Sequence, residues 1–140
     1  ICNHCPYVVH LNNHLPALFN NFGKQGLRIY AISANDKDKF PDDSPEKMAI
    51  EAKKLNFDFP YLFDENQEVA KSYKAACTPD FFLFDQNKEL FYRGQYDDSR
   101  PNNNIEITGF DISNAVNLLL QGEDAPKSQT PSIGCNIKWK

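Results

Sequence analysis

No stretch of this chain is basic enough, apolar enough or repetitive enough for a nucleic-acid, membrane-spanning or repeat class. Fifteen Lys and Arg face nineteen Asp and Glu, a formal charge of -4. That balance lacks the basic stripe with which nucleic-acid binders neutralise phosphates. No apolar run reaches the roughly 20 residues of a membrane-spanning helix. Internal repeats and low-complexity tracts are absent, and Asp36, Asp42 and Asp43 form no calcium-loop pattern. Cysteine is scarce too. Cys2, Cys5, Cys77 and Cys135 are too few to staple a scaffold of 140 residues, so chemistry accounts for them better than architecture. The chain starts at Ile1 with no visible signal or transit peptide, and no compartment follows from that.

What remains is a globular composition, 41% hydrophobic and 24% charged, long enough for one domain with a real core. After Cys5, the residues Val8, Leu11, Leu15, Leu18 and Phe22 recur at helical spacing. Pro6 suits a first helical turn, Pro16 predicts a kink, and Gly23 and Gly26 are expected to end the helix. Leu27 to Ala34 and Phe59 to Phe63 read as strands, with a helix between them that starts at Ser44-Pro45-Glu46. A short helix through Val69, Ala70 and Tyr73 follows. Phe81 to Phe84 shows no alternation and predicts a strand covered on both faces, with Glu89 to Gly94 as its hairpin partner. Asp97 to Asn104 is a polar loop. Thr108 and Asp111 suggest a capping box for a last helix through Ile112, Ala115, Val116 and Leu119, ended by Gly122.

The order predicts an α/β domain over 1–122, with a central mixed sheet flanked by helices and an inserted helix–strand unit. A flexible, extended tail is expected over 123–140. The first helix lacks the strand that should precede it in a βα unit. Ile1 is therefore expected to be the last residue of that strand, in a chain truncated at its N-terminus.

The chemistry concentrates at Cys2-Asn3-His4-Cys5-Pro6. Two cysteines at this spacing, directly before a helix, suit a dithiol that cycles with its disulfide. The attacking species is the thiolate, and a helix N-terminus favours negative charge. Cys2 is expected to gain most and act as nucleophile, with the more buried Cys5 as resolving thiol. His4 either stabilises the thiolate or is an exposed spacer. The competing account of the pair is half a zinc site, but Cys77 and Cys135 form no second CxxC. Cys77 is read as a small buried residue, with a third redox thiol or a soft-metal ligand as the alternatives. Cys135, in the tail, is read as able to fold back onto an oxidised cysteine or to bond another chain, against an incidental exposed thiol. Arg100 is expected to be solvated, and His10 and His14 to be exposed helix positions without a third metal ligand.

CxxC before a helix, with Thr78-Pro79 before a buried strand and hairpin, resembles the thioredoxin-like superfamily. The helix and strand between Ser44 and Phe63 look like the insertion of its alkyl-hydroperoxide-reductase/thiol-specific-antioxidant (redoxin) branch. The strings CNHCPYV, ACTPDFFLFD, YRGQYDDSRP and SIGCNIKWK are similar to uncharacterised bacterial thioredoxin-like proteins of that branch. The resemblance implies a cis-proline at Pro79 facing the dithiol, with the backbone of Thr78 open to a substrate strand. It implies a thiol–disulfide oxidoreductase acting on protein or small-molecule thiols and disulfides, with no cofactor. The alternatives are a thiol peroxidase whose Cys5 is attacked by peroxide, and a non-enzymatic module holding a soft metal. The Asn-His spacer departs from the Gly-Pro of thioredoxins and predicts a less reducing dithiol.

Overall fold

The amphipathic run after Cys5 folds as two helices, not one kinked rod. In the computed structural model, which describes residues 1–140, α1 (Pro6–Leu11) stops at Asn12 and α2 (Leu15–Lys24) starts afresh. Pro16 is the reason: inside a continuous helix its ring would clash with the carbonyl of Asn12, four residues back. At the second position of α2 its missing N–H costs nothing. Gly23 lies within α2, and the chain turns at Gly26, where φ is +100°.

Short strands and helices then alternate: β1 (Ala31–Ser33), a 3-10 turn (Pro41–Asp43), α3 (Pro45–Lys54), β2 (Tyr61–Phe63) and α4 (Glu68–Ser72). Ser44 caps α3 by accepting from the Lys47 N–H at 3.4 Å. After α4 come β3 (Cys77–Thr78), β4 (Phe81–Phe84), β5 (Leu90–Gly94), α5 (Phe110–Gln121) and β6 (Cys135–Asn136). The strands form a parallel pair, β1 with β2, and two antiparallel pairs, β3 with β6 and β4 with β5. The mixed α/β character holds, but the ladders are three separate pairs and not one continuous sheet.

Two local expectations fail. The β4 strand is covered on one face only. Phe81 and Leu83 enter the core while Phe84 is 38% exposed, because its outer face meets only Tyr73 and Arg93. The start of α5 is not a Thr108 capping box. Its N-cap is Gly109 at φ +62°, and the buried carboxylate of Asp97 accepts from the N–H groups of Thr108 and Gly109, both at 2.7 Å. Glycine is required there on two grounds, the left-handed backbone and Leu18 at 2.6 Å from where a Cβ would stand.

The core lies between α1, α2, the β4–β5 hairpin and α5, with Leu11, Leu15, Phe22, Phe81, Tyr92 and Val116 among its residues. No helix is long and apolar enough to cross a membrane. Residues 123–140 are extended, but they are held down. Ser132 Oγ donates to Gly94 O at 2.6 Å, the Lys138 N–H donates to Asn35 Oδ1 at 2.8 Å, and Ile137 is buried against Ala34 and Ala70. Leu15→Ala removes a buried side chain from this core and is expected to cost about 2–5 kcal/mol. Urea unfolding of the two proteins checks this through the shift in midpoint at unchanged slope.

Candidate active site

The dithiol lies where α1 begins, and both sulfurs are closed off from solvent. Cys2 is 2% exposed and Cys5 is fully buried. Cys5, not Cys2, is the N-cap of α1, so the end of the helix favours negative charge on Cys5 most. That reverses the expectation that Cys2 gains most from it.

Asn3 and His4 fasten the motif to the 3-10 turn. The Asn3 N–H donates to Asp43 Oδ1 at 2.7 Å, its amide donates to Asp42 O at 2.8 Å, and Tyr61 OH donates to Asn3 Oδ1 at 3.0 Å. His4 stacks on Phe40, with ring centroids 5.4 Å apart and planes within 5°. Its Nδ1 lies 2.6 Å from Asp43 Oδ2 without hydrogen-bond alignment. Asp43 is fully buried and also accepts from Asn35 Nδ2 at 2.7 Å. Sequence reasoning placed Asp43 only in an acidic loop. Nothing in the spacing links it to His4, thirty-nine residues away.

The other wall is Thr78-Pro79, whose peptide bond is cis. Cys2 Sγ is 3.5 Å from Thr78 Oγ1, and the Cys5 thiol donates to Thr78 O at 3.2 Å. The backbone of Thr78 is not open to a substrate, because β6 pairs there with Cys135 opposite Thr78. Cys135 packs against Cys2, Cys5 and Val8. The tail thus brings a third sulfur to the pair, contrary to the expectation of a flexible end. Cys77, the neighbour of Thr78 along β3, donates instead to Pro79 O at 3.5 Å, and burial pushes its thiol up to about 11. It is a protonated, buried thiol at neutral pH.

The Cys2 and Cys5 thiols are shifted in opposite directions. The hydrogen bond from Cys2, then one from Cys135, draws the Cys5 thiol down to about 4 against the opposing effect of burial. The same bond to Cys5, then burial, pushes Cys2 far above the usual thiol range. The two protons therefore leave in widely separated steps that belong to the pair. Two arrangements of the remaining proton have partners. With the charge on Cys5, the thiols of Cys2 and Cys135 donate to it. With the charge on Cys2, the Thr78 hydroxyl donates to Cys2 and the Cys5 thiol donates to Thr78 O. The first is favoured, because the buried Asp43 carboxylate opposes charge on Cys2 and the helix N-terminus lies at Cys5.

The remaining polar residues are structural or apart. Arg100 braces its own loop, with Nη1 donating to Ser99 O at 2.7 Å and Nη2 bound to the Gln95 side chain. His10 bonds Ser99 Oγ and His14 bonds Tyr96 OH, each at 2.7 Å. Both are half-buried, and the break between α1 and α2 separates them. Asp36 pairs with Lys39 at 3.1 Å and Asp42 is exposed, so the three aspartates diverge. One set could hold a metal: Cys2 Sγ, a His4 ring nitrogen and an Asp43 oxygen lie within 4.8 Å of one another. Sulfur, nitrogen and oxygen donors of this kind suit zinc.

One thiolate is therefore expected throughout the neutral range. Its absorbance at 240 nm should persist above the Cys5 value and be lost as pH falls through about 4. Cys2→Ala removes the main cause of that lowering and should move the loss of absorbance to higher pH.

Residues 1–93 match the model of the AhpC/TSA family. A search of curated proteins finds no match. Among solved structures, an uncharacterized conserved protein from Geobacillus kaustophilus is 54% identical with a TM-score of 0.97, over 100% of this chain and 74% of that one. A hypothetical protein from Sinorhizobium meliloti is 47% identical with a TM-score of 0.98, over 100% of this chain and 76% of that one. Family and fold agree with a sulfur-lined centre at the head of a helix, and the chain belongs to the AhpC/TSA (redoxin) family, with a thioredoxin-like α/β fold.

Proposed function

We propose that this protein is a thiol–disulfide oxidoreductase whose reacting pair is Cys2 and Cys5. One observation carries the reading: two buried cysteine sulfurs at the head of a helix, Cys2 lying 3.5 Å from the Thr78 hydroxyl and Cys5 donating to Thr78 O at 3.2 Å, beside the cis Thr78-Pro79 bond. A stable thiolate beside a second thiol is what exchange with a disulfide requires.

Cys2 is the nucleophile toward substrate, because Thr78 offers it a hydroxyl that can donate, while Cys5 has the Thr78 carbonyl as acceptor for its proton. The remaining proton moves to Cys5, whose thiol then donates to Thr78 O, while the Thr78 hydroxyl and His4 stabilise the charge left on Cys2. Cys2 attacks one sulfur of the substrate disulfide, forming a mixed disulfide and releasing the first substrate thiolate. Cys5, once deprotonated, attacks Cys2, releases the second, and closes the Cys2–Cys5 bond. Two electrons pass from the dithiol to the substrate. The partners are protein or small-molecule thiols and disulfides, Thr78 and Pro79 line the meeting point, and no cofactor enters.

A second reading draws on the lowered Cys5 thiol and on the family. In it, the Cys5 thiolate attacks the O–O bond of a peroxide and becomes a sulfenic acid as water or an alcohol leaves, and Cys2 condenses with it to the same disulfide with loss of water. The two readings part on single variants. Disulfide exchange predicts that insulin reduction falls to background in Cys2→Ser, with no peroxide turnover in the parent. Peroxide turnover that survives Cys2→Ser and dies in Cys5→Ser would overturn it. Because a stabilised thiolate stabilises the reduced form, the dithiol should be less reducing than thioredoxin, at about -270 mV. Glutathione titration followed by thiol counting measures that potential.

A further inference from the structure

The tail sits where the proposed reaction has to seat a substrate strand. Cys135 faces Thr78 and Asn136 faces Cys77 in the antiparallel β3–β6 pair. Gly134 makes this approach possible. A Cβ there would stand 2.0 Å from Thr78 O and 3.2 Å from Pro79 N, so no other residue fits without lifting the strand. The segment is pinned on both sides, by Ser132 on Gly94 at 2.6 Å and by Lys138 on Asn35 at 2.8 Å. Held this way, Cys135 packs against the buried cluster of Cys2, Cys5 and Val8. Cys5 is fully buried, whereas Cys135 is partly exposed.

We propose that the C-terminal strand is a built-in substrate of the dithiol, and that Cys135 exchanges with Cys5 to form a Cys5–Cys135 disulfide. This rests on the thiol–disulfide reading and extends it. The step starts from the Cys2–Cys5 disulfide left by reduction of an external disulfide. Cys135 loses its proton and its Sγ attacks Cys5 Sγ. The Cys5–Cys135 bond forms as the Cys2–Cys5 bond breaks, and Cys2 leaves as the thiolate, free to take up the proton. One disulfide replaces another, so no oxidant or reductant is consumed.

The environment of Cys135 changes in the direction the step needs. In the reduced protein its thiol is held up, to about 11, by burial first and then by the hydrogen bond and charge of Cys5. The last two causes vanish once Cys5 is in a disulfide, so Cys135 ionises more readily when there is something for it to attack. The exchange returns Cys2 to its thiol form and moves the disulfide to a sulfur nearer the surface. It also ties β6 to the site covalently, so an external strand reaches Thr78 only in the reduced protein or the Cys2–Cys5 form, after the tail lifts.

The test is a disulfide map on the 140-residue chain carrying Cys2→Ser, oxidised with diamide, alkylated and digested with trypsin without reductant. Cleavage after Lys24, Lys74, Arg93, Lys127 and Lys138 puts Cys5, Cys77 and Cys135 on different peptides. The expected product is a monomer with the Cys5 and Cys135 peptides joined, in excess over any Cys5–Cys77 product. The joined pair should also appear in the oxidised parent protein. Adding Gly134→Ala should lower its yield by lifting the strand. Recovery of Cys5 only as intermolecular dimer or free thiol would overturn the proposal, as would a yield that Gly134→Ala leaves unchanged. The map needs no turnover. A parent protein that fails to reduce insulin yet forms the Cys5–Cys135 link would sink the dithiol reaction and leave the sulfur pairing standing.

Discussion

Three sulfurs meet at one threonine, and the rest of the site is arranged around that meeting. Thr78 offers its carbonyl to Cys5 at 3.2 Å, its hydroxyl to Cys2 at 3.5 Å and its strand edge to Cys135. Each contact uses a different part of the residue. The carbonyl accepts from a thiol, so it suits Cys5 when Cys5 is protonated. The hydroxyl can donate, so it suits Cys2 when Cys2 is charged. Thr78 therefore supports the arrangement of the proton that makes Cys2 the nucleophile, while the Cys2 and Cys135 thiols support the opposite one. A dithiol that has to attack with one sulfur and then with the other is served by having partners for both.

The 3-10 turn that precedes the inserted helix–strand unit has a part in this through Asp43. A buried carboxylate without partners is costly, and Asp43 is fully buried. It is tolerated because the Asn3 N–H and the Asn35 amide donate to it, both at 2.7 Å, with His4 alongside at 2.6 Å. The same contacts fix the Cys2–Cys5 loop against the 3-10 turn. Asp43 thus positions the motif, and its charge opposes ionisation of Cys2. The Asn-His spacer is then more than a linker: Asn3 is the clip, and His4 lies against the carboxylate that the clip holds.

Much of this was legible from residue order, and most of the misses share a cause. Helical spacing found α3, α5 and the run that Pro16 divides into α1 and α2, and CxxC with Thr78-Pro79 found the two walls of the site. The break at Pro16 is a local miss; the other errors are matters of contact at long sequence separation. Phe81 to Phe84 reads as apolar throughout, but which face is covered depends on α5 and Tyr73. Thr108 looks like a capping-box residue, but the turn before α5 is held by Asp97 from eleven residues upstream, while the Thr108 hydroxyl accepts only from the Phe110 N–H. The tail has no periodicity and so reads as loose. Its order comes from Gly134 lying on Thr78, from Ile137 in an apolar cluster and from Asn35 holding Lys138, a separation of 103 residues. Local pattern does not carry that information, although a Gly-Cys pair in a tail otherwise poor in glycine is a signal of close backbone approach.

The tail also resolves a conflict inside the site. Reactivity asks for a thiolate that a substrate can reach, whereas the stability of a thiolate beside a second thiol asks for a closed site where sulfur donors point at it. In this structure closure prevails: Cys2 and Cys5 are both sealed, and the segment that completes the seal is a strand with its own cysteine. A covering strand without sulfur would only block Thr78. One that carries Cys135 sets a third sulfur against the pair it covers. Under the proposed exchange, the cover and the chemistry are one feature, set by two adjacent residues. Gly134 permits the close approach, and Cys135 supplies the sulfur.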